Sequence, residues 1–132
     1  MTVNAARHDR GSITGFVVVI TMVVLACAGL AIDGSRIVGA HVAAADVAEN
    51  AARAGAQAVV ALRDDQWAIE PSQARVAAEA YLATQHVAGV VTVTSSTVTV
   101  TVTVDVETTL LGLVGIPSKH VSATRSSNPI SG

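Results

Sequence analysis

The chain has little of what builds deep binding pockets or nucleic-acid surfaces. Aromatic residues make up 2% of its 132 residues, although the hydrophobic fraction is 51%. The apolar residues are mostly Ala and Val, which bury little area each and favour close approach of backbones. A net charge of −2 offers no basic surface to nucleic acid. This composition favours a thin, elongated packing unit over an enzyme or a nucleic-acid-binding domain.

The chain has only one cysteine, Cys27, which excludes an intramolecular disulfide. The sequence VLAC that ends at Cys27 imitates a lipoprotein attachment motif. The apolar run continues to Ile32, however, where a lipoprotein would begin a polar mature segment. We therefore interpret Cys27 as a small apolar residue of a membrane helix.

The polar residues show no pattern that is typical of catalysis or of metal binding. The four histidines lie in four different segments, without the spacing of metal ligands: His8, His41, His86 and His120. Neither a nucleophile-elbow motif nor a phosphate-binding glycine loop occurs. The sequence therefore predicts no catalytic residue, no metal site, no cofactor and no small-molecule substrate.

One long run, residues 13–32, contains no charge at all. A helix of twenty residues spans roughly 30 Å, the thickness of the hydrocarbon core of a bilayer. A cleaved signal peptide is the alternative, because Ala26, Cys27 and Ala28 form a small-x-small triplet. The run exceeds the usual apolar region of a signal peptide, and a helical pattern continues beyond it. A retained transmembrane helix is therefore predicted.

The charges beside this run predict the orientation of the chain. Arg7 and Arg10 precede it, whereas Asp33 and Arg36 follow it. This small excess of Arg before the run predicts a cytoplasmic N-terminus and an exported C-terminal body. We expect Asp33 to lie in the headgroup region, where its cost is modest. The predicted organisation is a cytoplasmic leader (1–12), a transmembrane helix (13–32), an extracytoplasmic domain (33–126) and a disordered tail (127–132).

Helical periodicity continues past the run, so that one helix of about fifty residues is predicted from Ser12 to Leu62. Its exported part carries a stripe of small residues, the small-residue seam, at Ala44, Ala48, Ala52 and Gly55. A surface with such short side chains lets another backbone come close. Two partners are possible at this stage: the protein's own sheet, or the helices of other subunits.

The rest of the domain predicts a short helix and a small antiparallel sheet, and therefore an α+β fold. A connecting loop with Trp67 leads to a helix that begins at Pro71 and ends near His86. Alternating Val and Thr over residues 91–106 predict a hairpin that turns at Ser95 and Ser96. Residues 118–126 supply a third, edge strand. The apolar link 108–116 is either a helical turn that caps the core or an exposed contact patch.

Several short stretches resemble the TadE/TadG-like family of Flp (Tad) pilus-assembly proteins, of the actinobacterial type. The stretches are residues 9–12 (DRGS), 33–36 (DGSR), 51–56 (AARAGA), 110–117 (LLGLVGIP) and 121–124 (VSAT). The resemblance implies a pilin-like fold and a single-pass protein of the cell membrane. It further implies a minor component or assembly factor of a type IVb-like pilus, with other pilus subunits and membrane lipid as partners.

The same resemblance directs attention to processing of the N-terminus. In processed members a prepilin peptidase cuts after a glycine, with a glutamate at the fifth position beyond it. The matching bond here is Gly11–Ser12, but the fifth residue after Gly11 is Phe16. This departure favours a permanently anchored assembly factor. The alternative function is an anchored extracytoplasmic binding module unrelated to pili, which would use the Thr face of the hairpin or the link 108–116.

Overall fold

One helix, α1, organises the computed structural model, which describes residues 9–61, 67–113 and 115–129. α1 comprises Asp9–Ala56, 48 residues, and is therefore about 72 Å long at 1.5 Å per residue. The predicted continuity from the apolar run into the small-residue seam is confirmed. Gly34 and Gly39 both lie within the helix.

The predicted end of this helix at Leu62 is wrong, because α1 ends at Ala56. Val59–Ala61 forms a strand, β1, which pairs antiparallel with β2, Trp67–Ile69. The reason is local as well as tertiary: Val59 and Val60 are β-branched and favour a strand. Trp67 consequently begins a strand and does not lie in a loop. Residues 62–66 lie outside the described part of the chain.

The second helix, α2, comprises Pro71–Thr84. It begins at Pro71 as predicted, and it ends two positions before the predicted His86. The Glu70 carboxylate caps its first turn, accepting a hydrogen bond from the backbone N–H of Gln73 at 2.7 Å. The side chains that α2 buries recur every four residues, at Ala74, Ala78 and Leu82.

A three-stranded antiparallel sheet has the order β3-β4-β5. The strands are Gly89–Val93 (β3), Val98–Glu107 (β4) and Ser118–Ser127 (β5). Val93 pairs with Val98 across the predicted turn at Ser95 and Ser96, which confirms the hairpin. β5 is an edge strand as predicted. A four-residue helix, α3 (Leu110–Leu113), lies in the connection between β4 and β5.

The two faces of the sheet differ as the Val/Thr alternation predicts. Val98, Val100 and Val102 are completely buried. On the other face, threonine hydroxyls of β4 bond to hydroxyls of β5, with Thr101 and Thr124 2.9 Å apart. The second half of α1, together with α2, covers the valine face.

Gly55 lies where α1, α2 and β4 meet. A Cβ atom at this position would lie 2.9 Å from the carbonyl oxygen of Ala74 in α2 and 2.9 Å from Cγ1 of Val98 in β4. Both distances are shorter than van der Waals contact allows, so only glycine fits without a shift of the neighbours. The second half of α1 therefore packs on its own domain through small residues.

Candidate functional site

The first half of α1 presents an apolar surface that the rest of the protein leaves uncovered. Every residue in the range 13–32 is exposed except Gly29, and Phe16 and Leu25 keep 66% and 65% of their surface. Among the described residues, α1 is the one helix long and apolar enough to cross a membrane, judged by length and composition. An apolar surface of this extent is unfavourable in water and matches a lipid environment.

Gly29, the buried exception, contacts a side chain from the connection between β4 and β5. A Cβ atom at Gly29 would lie 1.2 Å from Cδ1 of Leu110, so the Leu110 side chain occupies the space over the glycine backbone. Any larger residue at position 29 displaces Leu110. The absence of a side chain at Gly29 therefore allows α3 to dock against the apolar run.

Asp33, one turn further along α1, completes this docking site. Its carboxylate accepts hydrogen bonds from the backbone N–H groups of Thr109, Leu110 and Leu111, at 2.9, 2.8 and 2.9 Å. These are the free donors at the start of α3, and a carboxylate is their preferred partner. Asp33 is only 1% exposed. The helix cap thus comes from a residue 76 positions away from Thr109 in sequence.

The hydrogen bonds also set the charge state of Asp33, which lies just outside the apolar run. The backbone N–H groups of Leu111 and Thr109 lower the pKa of the carboxyl below 3.8, with Leu110 and the nearby charge of Arg36 acting in the same direction. Burial opposes this shift and is outweighed. Asp33 is therefore ionised at neutral pH, as a charged acceptor for three donors.

Further bonds close the connection around α3. Nη1 of Arg36 donates to the hydroxyl of Thr109 at 2.9 Å. The backbone N–H of Thr108 donates to the carbonyl of Pro117 at 3.0 Å, and its hydroxyl donates to the carbonyl of Ile116. We call residues 108–113 the α3 turn. Hydrogen bonds to Asp33 and Arg36 attach it to α1. Hydrogen bonds from Thr108 to Ile116 and Pro117 join the two ends of the connection.

The sequence left two interpretations of this segment open: a helical turn that caps the core, or an exposed contact patch. The α3 turn differs from both. Leu110 and Leu111 are half-buried and do not belong to the main core, so the turn docks on α1. Leu113, by contrast, is 80% exposed, and Ile116 beyond it is 47% exposed. Sequence reasoning placed Asp33 in the headgroup region and missed its role as a cap, because nothing near Asp33 in sequence indicates its partner.

The residues of the predicted site fall into two separate regions. Gly11 and Ser12 lie near the start of α1, where the backbone is helical. The small-residue seam is buried within the protein's own fold, with Ala48 and Ala52 at 0% exposure. The seam thus takes the first of its two possible partners. Bundling with other subunits remains a prediction for other faces of α1, where Val38 and Val42 are exposed.

The described residues offer little to a metal or a small ligand. Within residues 9–61, 67–113 and 115–129, no group of three or more His, Cys, Asp or Glu side chains could hold a metal ion. An open depression of about 380 Å³ is lined by Ala58 and by residues of α2. Its lining contains neither an aromatic nor a charged side chain, and Ser72 and Gln73 are its polar residues.

These features define a class of protein: an α+β domain carried by a long helix whose exposed first half is apolar enough to span a membrane. The comparison with protein families is more specific. Residues 11–58 match the family described as putative Flp pilus-assembly TadE/G-like. The resemblance is therefore confirmed over α1 from Gly11 onward, whereas the sheet and α3 lie outside the matched range. No curated protein and no solved structure matches the chain.

Proposed function

We propose that this chain is a single-pass membrane protein that assists the assembly of a Flp-type pilus, with its N-terminus in the cytoplasm and its α+β domain outside. The observation that supports this most is the continuity of α1. One helix carries both the exposed apolar run and the small-residue seam, and the family match covers the same helix. α1 thus acts as a membrane anchor and as a stalk for the domain.

Contacts with other pilus components are assigned to the exposed part of α1 that follows the apolar run. Val38 and Val42 are 63% and 53% exposed there, and no side chain or backbone atom within 4 Å would obstruct a Cβ at Gly39 between them. A neighbouring helix can therefore approach closely on this face. The domain's sheet and α2 cover other residues of α1, among them Ala44 and Ala48.

This assignment is tested by a matched pair of variants in a piliated strain. Val42→Asp puts a charge on the exposed face of α1, and Val76→Asp puts the same charge on α2, where Val76 is 66% exposed. We expect Val42→Asp to reduce piliation and Val76→Asp to leave it unchanged, at equal protein levels. Normal piliation after deletion of the gene would contradict the assembly function and favour an anchored binding module.

We further propose that the anchor is retained without processing. Phe16 stands where processed family members carry glutamate, and Gly11 and Ser12 already lie within the helix. Mass spectrometry of the mature protein should find the N-terminal leader intact. A mature N-terminus at Ser12 would show prepilin-type processing, and one near Ala28 would show that the anchor is removed.

Orientation needs its own measurement. Single cysteines at Val90 and Val76, both on exposed positions of the domain, should react with a membrane-impermeant maleimide in intact cells. These variants are made in a Cys27→Ser background, so that the introduced thiol alone reacts. Labelling that requires permeabilised cells would place the domain in the cytoplasm and overturn the proposed topology.

A further inference from the structure

We propose that the α3 turn enters the outer surface of the membrane beside α1, so that the protein contacts the bilayer through two elements. The proposal rests on the proposed function in one respect, namely that residues 13–32 span the bilayer. Three features of the turn support this location: its contacts with α1, its paired backbone N–H groups and its exposed apolar side chains.

The contact between Leu110 and Gly29 sets the depth of the turn. Gly29 lies three residues before the end of the apolar run at Ile32. At 1.5 Å per residue, Leu110 is therefore seated about 5 Å inside the boundary of the hydrocarbon region if the run fills it. Amphipathic elements that lie in a membrane surface bury their apolar side chains to a depth of about 5–10 Å.

Several backbone N–H groups of the turn already have hydrogen-bond partners, as an apolar environment requires. An unpaired N–H group is costly in hydrocarbon, and the first turn of a helix normally has several. Here the N–H groups of Thr109, Leu110 and Leu111 all donate to Asp33. The Thr108 N–H donates to Pro117. These four N–H groups, which would oppose insertion if they were unpaired, thus have partners inside the protein.

The outward side of the turn is apolar and free of charge. Leu113 is 80% exposed, the highest value among the large hydrophobic residues of the described chain, and Ile116 is 47% exposed. Residues 108–117 contain no charged side chain, and the charged residues that flank them in sequence are Glu107 and Lys119. An exposed leucine held beside a membrane-spanning helix is covered by lipid without any further partner. Lipid is therefore the occupant that this surface fits.

The experiment compares lipid contact at three single thiols, with the full chain reconstituted in vesicles of phosphatidylcholine and phosphatidylglycerol. Native Cys27, which is exposed on α1, reports on the span itself. Leu113→Cys in a Cys27→Ser background reports on the turn. Val76→Cys in the same background, also at an exposed position, is the matched control on α2. Each thiol carries a nitrobenzoxadiazole label, and lipids with a doxyl group near the headgroup end quench it.

We expect the label at position 113 to be quenched by doxyl lipid several-fold more strongly than the label at position 76, and to be protected from iodide in the water. Ile116→Cys provides a second site on the same surface. If the labels at 113 and 116 behave like the label at 76 while the Cys27 label is quenched, the span stands and the insertion of the turn is refuted. If the Cys27 label is not quenched either, the proposed span itself is wrong.

Discussion

Substitution of Gly55 by Ala tests how the stalk helix is joined to its domain. Gly55 is buried at the meeting point of α1, α2 and β4. The added Cβ would lie 2.9 Å from the Ala74 carbonyl oxygen, 2.9 Å from Val98 Cγ1 and 3.4 Å from Ala78 Cβ. The Ala74 oxygen belongs to the backbone of α2 and Val98 is completely buried. Neither can move without disturbing its own packing.

Two opposing effects set the change in the free energy of unfolding that Gly55→Ala causes. An extra methyl group in a filled contact costs about 1–3 kcal/mol. Replacing Gly by Ala within a helix gains about 1 kcal/mol. Because Gly55 is close to the end of α1 and its contacts are rigid, the packing term exceeds the helix term. We expect a net loss of about 1 kcal/mol, which corresponds to a fall in Tm of about 4–8 °C for a domain of this size.

The control is Gly39→Ala on the same helix, where no atom lies within 4 Å of the added Cβ. Only the helix term acts there, so the free energy of unfolding should rise by about 1 kcal/mol. Thermal unfolding of the full chain in mild detergent, followed by circular dichroism, measures both variants. A Gly55→Ala protein as stable as the native one, or two variants shifted in the same direction, would refute the close packing at Gly55.

Four further predictions concern the two helix caps and the buried face of the sheet. Asp33→Asn should accelerate hydrogen exchange at the first amides of α3, whereas Asp46→Asn, an exposed change on the same helix, should not. Because the pKa of Asp33 is lowered in the folded protein, the native cap should contribute fully above about pH 3.8, weaken below that value and be lost as the pH falls through the lowered pKa; a cap that is lost above pH 3.8 would contradict this. Glu70→Ala should accelerate exchange at the start of α2 while the sheet stays protected, and equal exchange in both proteins would refute the cap. Val100→Ala should destabilise the domain by about 2 kcal/mol in denaturant unfolding, against less than about 0.5 kcal/mol for the exposed control Val90→Ala, and equal losses would mean that the faces of the sheet are wrongly assigned.

The Asp33 contacts also link the sheet to the anchor. The α3 turn follows directly after β4, the central strand, and it is fixed to α1 next to the apolar run. The domain is therefore attached to α1 at two places: at the small-residue seam near the end of α1, and at the α3 turn beside the apolar run. Two attachments on one helix restrict rotation of the domain about that helix.

The elements that could be predicted are those whose signal is local. The uncharged run, the Pro71 start of α2 and the Val/Thr alternation of the hairpin each follow from side-chain chemistry within one segment. The end of α1 could not be predicted in the same way. Residues 57–61 continue a pattern compatible with a helix, and the pairing of Val59 with Ile69 across the β1–β2 sheet decides for a strand.

The sequence by itself determined that this chain has one long apolar helix and an α+β domain, because composition and periodicity act over neighbouring residues. Only the tertiary structure decided which face of α1 is occupied and what Asp33 does. A stripe of alanines can pack against any backbone that comes close. In this protein its partners are the sheet and α2. Asp33 follows the apolar run directly, and its hydrogen-bond donors are the N–H groups of a turn more than seventy residues away. Such pairings depend on chain topology, which local chemistry does not encode.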